Sequence, residues 1–210
     1  MILVVFGGAL LSARAERFTS LPVSFAGDTL KVQFPVAAFL GADDSTALVS
    51  GEDIALICRM ELWQKRKLWF DRLRVTNIHY FTLSYDRWEE KFILNYQDQF
   101  GWEVERRYNS LRLLLDYLDK AHYFSLVLER DDYQRLSFLA CAVDTKYLTL
   151  ERMGEIREWL KWGRSAGRES SSLPDRVISF LVKSTGLRNR SELRTSQNFI
   201  PAQLQTEIKF

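Results

Sequence analysis

From Thr29 to Val143 apolar side chains recur mainly at every second position, a period that suits extended strands with one buried and one wet face. Leu30, Val32 and Phe34 alternate with Lys31 and Gln33, and Pro35 closes that run. Ile54, Leu56, Cys58, Met60 and Leu62 make a second run. Leu73, Val75, His79, Phe81, Leu83 and Tyr85 share one face of a third, and Phe92, Leu94 and Tyr96 form a fourth. A short fifth strand is expected around Gly101 to Glu105. The links are short and polar: Gln64-Lys65-Arg66-Lys67, then Asp86 to Glu90. A parallel pair needs a long crossover, so links of this length point to antiparallel hairpins.

At Leu111 the period changes. Leu111, Leu114, Leu115 and Leu118 sit at i, i+3, i+4 and i+7, one face of a helix expected over 109–121, with Asn109 or Ser110 as its N-cap. Strand character returns at Phe124 to Leu128 and again at Leu136, Phe138, Ala140 and Ala142, on either side of a charged turn with Asp131 and Asp132. The pattern predicts a mainly β chain: an antiparallel β-sandwich, immunoglobulin-like in outline, over residues 16–147 with one inserted helix. Residues 148–210 are expected to form a helical C-terminal segment and tail. Thr149 to Trp162 reads as a helix ended by Gly163, and Pro174 opens a second that runs to Gly186. Beyond Leu187 the weak pattern predicts an extended or mobile tail.

Ahead of the strands, Ile2 to Leu11 is an almost unbroken apolar run, followed by Ala13-Arg14-Ala15. A short apolar core with small residues at the −3 and −1 positions is what signal peptidase reads, so residues 1–15 are expected to be a signal peptide. The run is about half the roughly 20 apolar residues of a spanning helix. The expected location is therefore outside the cytoplasm, in the periplasm or cell envelope. With Lys+Arg 29 against Asp+Glu 27, the chain lacks the basic excess of a nucleic-acid binder. Its two cysteines, Cys58 and Cys141, are too few for a disulfide scaffold. One bridge would require neighbouring strands; buried free thiols are the simpler expectation.

No catalytic residue, cofactor site or metal site is expected. His79 and His122 are far apart in sequence and neither has a second His or Cys three to five residues away. No G-x-S-x-G elbow occurs, and Gly7-Gly8 belongs to the leader. The acidic pairs Asp43-Asp44, Glu89-Glu90 and Asp131-Asp132 read as solvated turns. Glu103 and Glu105 share one strand face at about 7 Å, which makes them the best available pair for glycoside chemistry. The richest constellation is the second hairpin, where Trp63, Trp69 and Phe70 flank the basic turn Lys65, Arg66 and Lys67. Aromatics beside a basic turn suit phospholipid headgroups, anionic glycans or an acidic protein face. Trp159 and Trp162 form a second aromatic pair on the expected C-terminal helix.

The leader, Ser50-Gly51-Glu52 entering a strand, the basic turn into Trp69-Phe70-Asp71, Tyr85-Asp86 at the next hairpin, and the aromatic strand to Tyr96 resemble the uncharacterised bacterial domain of unknown function 4390. The resemblance covers roughly residues 28–145. After Val143 the chain departs from that pattern, with Trp159-Leu160-Lys161-Trp162 in a helical context. It implies an exported protein with an envelope location and an accessory role near a membrane sensor, and it carries over no catalytic residue. The expected function is a non-enzymatic module that binds an envelope protein or a membrane surface. The alternatives are an exported hydrolase acting on glycan or peptide, and a lipid or small-ligand carrier.

Overall fold

The alternating runs form strands, and the strands form two antiparallel sheets. In this computed structural model residues 19–120, 122–148, 189–204 and 206–210 are described. The expected signal peptide and the expected helices over 149–162 and 174–186 lie outside the described residues. The strands are β1 (Ser20–Ala26), β2 (Thr29–Gln33), β3 (Asp53–Gln64), β4 (Arg72–Asp86), β5 (Lys91–Asp98), β6 (Glu103–Tyr108), β7 (Tyr123–Val127), β8 (Ser137–Leu148), β9 (Asn189–Thr195) and β10 (Glu207–Lys209). One sheet has the order β10-β1-β2-β7, the other β6-β5-β4-β3-β8-β9. Facing each other, they make the expected β-sandwich.

The core lies between the sheets and follows the sequence period. Along β3, Ile54, Leu56, Cys58, Met60 and Leu62 are all buried while their neighbours are only half-buried. They meet Leu30, Val32, Phe34, Phe81 and Phe124 in one continuous cluster. The helix α2 (Leu111–Lys120) buries Leu114, Leu115 and Leu118, and the Ser110 hydroxyl accepts the Leu113 N–H at 3.4 Å, as an N-cap does.

Four features depart from expectation. The first is a helix, α1 (Ala42–Ser50), where Asp43 and Asp44 were expected in a solvated turn. Asp44 reaches back to accept the Gly41 N–H at 2.5 Å, and Ala47 and Leu48 bury one side of the helix. Gly51 ends it at φ 96°, a left-handed conformation; a Cβ there would also lie 2.6 Å from the Arg87 guanidinium.

The second is the face of Leu73. Leu62 pairs with Val75 but Trp63 pairs with Leu73, so Arg74 is an extra residue, a bulge in β4. One extra residue moves the following side chains to the other face. Leu73 therefore leaves the buried row and is exposed, while Asn77, which the apolar count passed over, is buried within that row beside His79 and Phe81. Its amide donates to the Ser125 carbonyl of β7 at 2.9 Å and ties the two sheets together.

The third is the segment placed outside the sandwich at 148–210. Its described part, 189–210, belongs to both sheets: β9 pairs with β8 and β10 pairs with β1. The apolar period of β9 is weak because Arg190, Glu192 and Arg194 take the half-buried face of this edge strand, where they form ion pairs, while Leu193 is exposed. The fourth is β6, which begins at Glu103 rather than near Gly101, because Gly101 takes φ 84° in the tight turn after β5.

Candidate functional site

Beyond Gln64 and Arg72, β3 and β4 are joined by a seven-residue loop that caps one end of the larger sheet. The base of the loop is well held. Trp63 stacks on Phe138 of β8 (6.4 Å between centroids, 12° between planes) and donates its indole N–H to Glu61 at 2.8 Å. Lys65 sits over the Phe138 ring at 4.7 Å and forms an ion pair with Asp71 at 2.8 Å. Asp71 also accepts the Arg66 N–H at 3.3 Å. The Lys65 ammonium holds the Asp71 carboxyl below its ordinary range.

The outer part of the loop has no such support. Leu68, Trp69 and Phe70 are 90%, 78% and 95% exposed. Arg66 and Lys67 are exposed beside them and have no ion pair among the described residues. Arg72 and Arg135 are exposed at the same end, as are Leu73 and Leu136, whose carbonyl accepts the Lys65 N–H at 2.8 Å. Of the six residues expected to form a binding surface, Trp63 and Lys65 therefore build the base, and Arg66, Lys67, Trp69 and Phe70 form the exposed end. Leu68 was missed in sequence because a lone leucine beside lysines gives no period. Trp88, 98% exposed in the β4–β5 turn, lies at the opposite end of the sheet.

The second constellation is internal. His79 of β4 and His122, just before β7, are far apart in sequence but both bury their rings against Tyr96 and Phe81. His79 stacks on Phe124 at 4.0 Å, and its Nδ1 lies 3.4 Å from the Tyr96 hydroxyl. Tyr117 packs edge-on against His122 at 5.2 Å with Arg106 over its own ring at 4.6 Å. His122 Nε2 is buried without a hydrogen-bond partner among the described residues. Burial lowers both histidines from 6.5 to about 4; His79 and Arg106 add to the effect at His122. Both imidazoles are thus neutral near pH 7. No group of three or more potential metal ligands occurs among the described residues.

Glu89-Glu90 is an exposed turn pair as expected, whereas the other two acidic pairs are not simply solvated. In each of these two pairs one carboxylate faces water and its neighbour is buried. Asp43 is exposed, while Asp44 accepts hydrogen bonds from the Tyr147 hydroxyl and, at 3.4 Å, the Arg190 guanidinium, which also donates to the Phe39 carbonyl. Asp131 is exposed, while Asp132 pairs with Arg74 at 2.6 Å, and Glu129 takes the other arm of the same guanidinium at 2.6 Å. Glu103 and Glu105 lie exposed on the edge strand β6, where Arg107 pairs with Glu105 at 3.1 Å. A polar depression of about 270 Å³ beside α1 is lined by Asp43, Thr46, Ala47, Ser50 and Glu52.

Cys58 and Cys141 lie on neighbouring strands but in staggered register: Cys58 faces Val143, and Cys141 faces Met60. Both are buried free thiols, and burial pushes both well above the ordinary thiol range. A thiol reagent is therefore expected to leave the native protein unlabelled and to label both residues rapidly in denaturant. Rapid labelling of the native chain would contradict this burial.

No family model, curated protein or solved structure matches the chain.

Proposed function

We propose that this protein is a non-enzymatic, exported envelope module that docks on a partner surface through the outer part of the β3–β4 loop. The single observation that carries the reading is the near-complete exposure of three consecutive large apolar side chains, Leu68, Trp69 and Phe70, on a base stiffened by Trp63, Phe138, Lys65 and Asp71. Scattered exposed apolar residues need no explanation, but a contiguous set on an ordered support marks an interaction site. The export expected from residues 1–15 and the resemblance to the exported family, with its accessory role near a membrane sensor, agree with an envelope partner. The exposed, ion-paired setting of Glu105 and the aromatic packing of the buried histidines favour a binding role over a hydrolytic one.

Fractionation of producing cells tests the reading. The wild-type chain is expected in the envelope fraction, and Trp69→Ala with Phe70→Ala should shift the distribution toward the soluble fraction by about tenfold or more, since buried aromatic anchors dominate docking energies. Thermal unfolding should be unchanged, because neither side chain belongs to the core. An unaltered distribution in the double variant would remove the tip from the docking surface.

A further inference from the structure

We infer that the surface met by the β3–β4 tip is an anionic lipid bilayer, into whose headgroup layer Leu68, Trp69 and Phe70 insert. This inference rests on the docking role proposed for the same loop. Its argument is the pairing of apolar and basic side chains in one loop. Leu68, Trp69 and Phe70 are all exposed. Beside them Arg66 and Lys67 are exposed and without ion pairs among the described residues, with Arg72 and Arg135 exposed at the same end. The nearest acid within the loop, Asp71, is held by Lys65 and the Arg66 N–H. Farther back, Asp132 and Glu129 are held by Arg74.

The loop presents cations and large apolar side chains together, and an anionic bilayer meets both: phosphates at the surface and acyl chains beneath. Tryptophan is suited to that boundary because its ring is apolar and its indole N–H stays within reach of headgroup oxygens. Arginine and lysine stems lie along apolar surface while their charges remain at phosphate level. The tip spans only three residues, so insertion would be shallow, about 5–10 Å into the boundary region. No helix among the described residues is long and apolar enough to cross a membrane, and the insertion proposed here requires none.

The test uses the purified full chain with vesicles of phosphatidylcholine alone and of phosphatidylcholine with about one-third phosphatidylglycerol, a fraction that gives the surface a substantial negative potential. The protein should sediment with the anionic vesicles and not with the neutral ones, and binding should weaken as salt rises. Arg66→Gln and Lys67→Gln should each reduce partitioning about fivefold. Acyl chains brominated near the headgroup should quench tryptophan emission of the wild type. Trp69→Phe, which keeps an apolar tip, should still sediment but lose most of that quenching. Failure to sediment, equal binding to neutral vesicles, or quenching undiminished by Trp69→Phe would each overturn the lipid assignment. If the vesicles fail while envelope association still depends on Trp69 and Phe70, docking stands and the occupant is a protein. If both fail, the docking role falls as well.

Discussion

Asp44→Ala is expected to destabilise the folded chain by about 3 kcal/mol, a loss read from the urea midpoint. Asp44 is 1% exposed and joins three parts of the fold. It accepts the Gly41 N–H at the start of α1, the Tyr147 hydroxyl of β8, and a guanidinium hydrogen bond from Arg190 of β9. Removing the carboxylate strips the helix of its N-terminal partner, typically worth about 1 kcal/mol. It also removes the carboxylate acceptor of the buried Tyr147 hydroxyl, at a further cost of about 1–3 kcal/mol. Arg190 adds less because it keeps partial access to water. Asn in place of Asp44 should recover part of the loss through its acceptor oxygen. Tyr147→Phe combined with Asp44→Ala should cost less than the sum of the two single changes, because both disrupt the same contact. A loss below about 1 kcal/mol for Asp44→Ala would show that this corner is not a stabilising junction.

The second large effect is acid sensitivity. His79 and His122 titrate near 4 in the folded protein, because burial disfavours the charged imidazolium, against 6.5 for a free imidazole. Between these values the unfolded chain takes up protons that the folded chain refuses. Their contribution to stability is therefore complete above about pH 6.5 and declines as pH falls toward 4. At about pH 5 each ring should lower the unfolding free energy by about 2 kcal/mol relative to pH 7. The groups packed around the pair do not offset this. Tyr96 is pushed up to about 12 and stays neutral, and Arg106 remains cationic and opposes a second charge nearby. Urea unfolding at several pH values, repeated with His122→Phe, checks the prediction. The wild type should lose stability steeply on acidification, and the variant should lose about half as much. The same slope in both proteins would mean that His122 is not the titrating group.

Much of the fold was visible in local pattern. The alternation in β3 placed Ile54, Leu56, Cys58, Met60 and Leu62 on one buried face, and the i, i+3, i+4, i+7 leucines placed α2. The candidate tip was partly visible too, because tryptophans beside a run of lysine and arginine stand out in any composition. Which of its six residues faces outward was not. That depends on Phe138, whose ring arrives from β8 to hold Trp63 and Lys65.

The other features that local pattern did not reveal share a cause. Asp43-Asp44 and Asp131-Asp132 look alike as dipeptides, yet in each pair one acid is buried, because Arg190 and Arg74 come from distant strands to meet it. His79 and His122 showed no ligand spacing, and only the meeting of the two sheets sets both against Tyr96. By itself, then, the sequence determined the strands from β2 to β8, the helix α2 and the apolar side of the most regular of those strands. Those properties follow from side-chain period and steric preference, which act over a few neighbouring residues. The tertiary structure alone decided the Arg74 bulge, the incorporation of 189–210 into both sheets, the burial of two carboxylates and two histidines, and the exposure of Leu68, Trp69 and Phe70. Each of these depends on a partner many residues away, and pairing energies between distant segments leave little trace in local period.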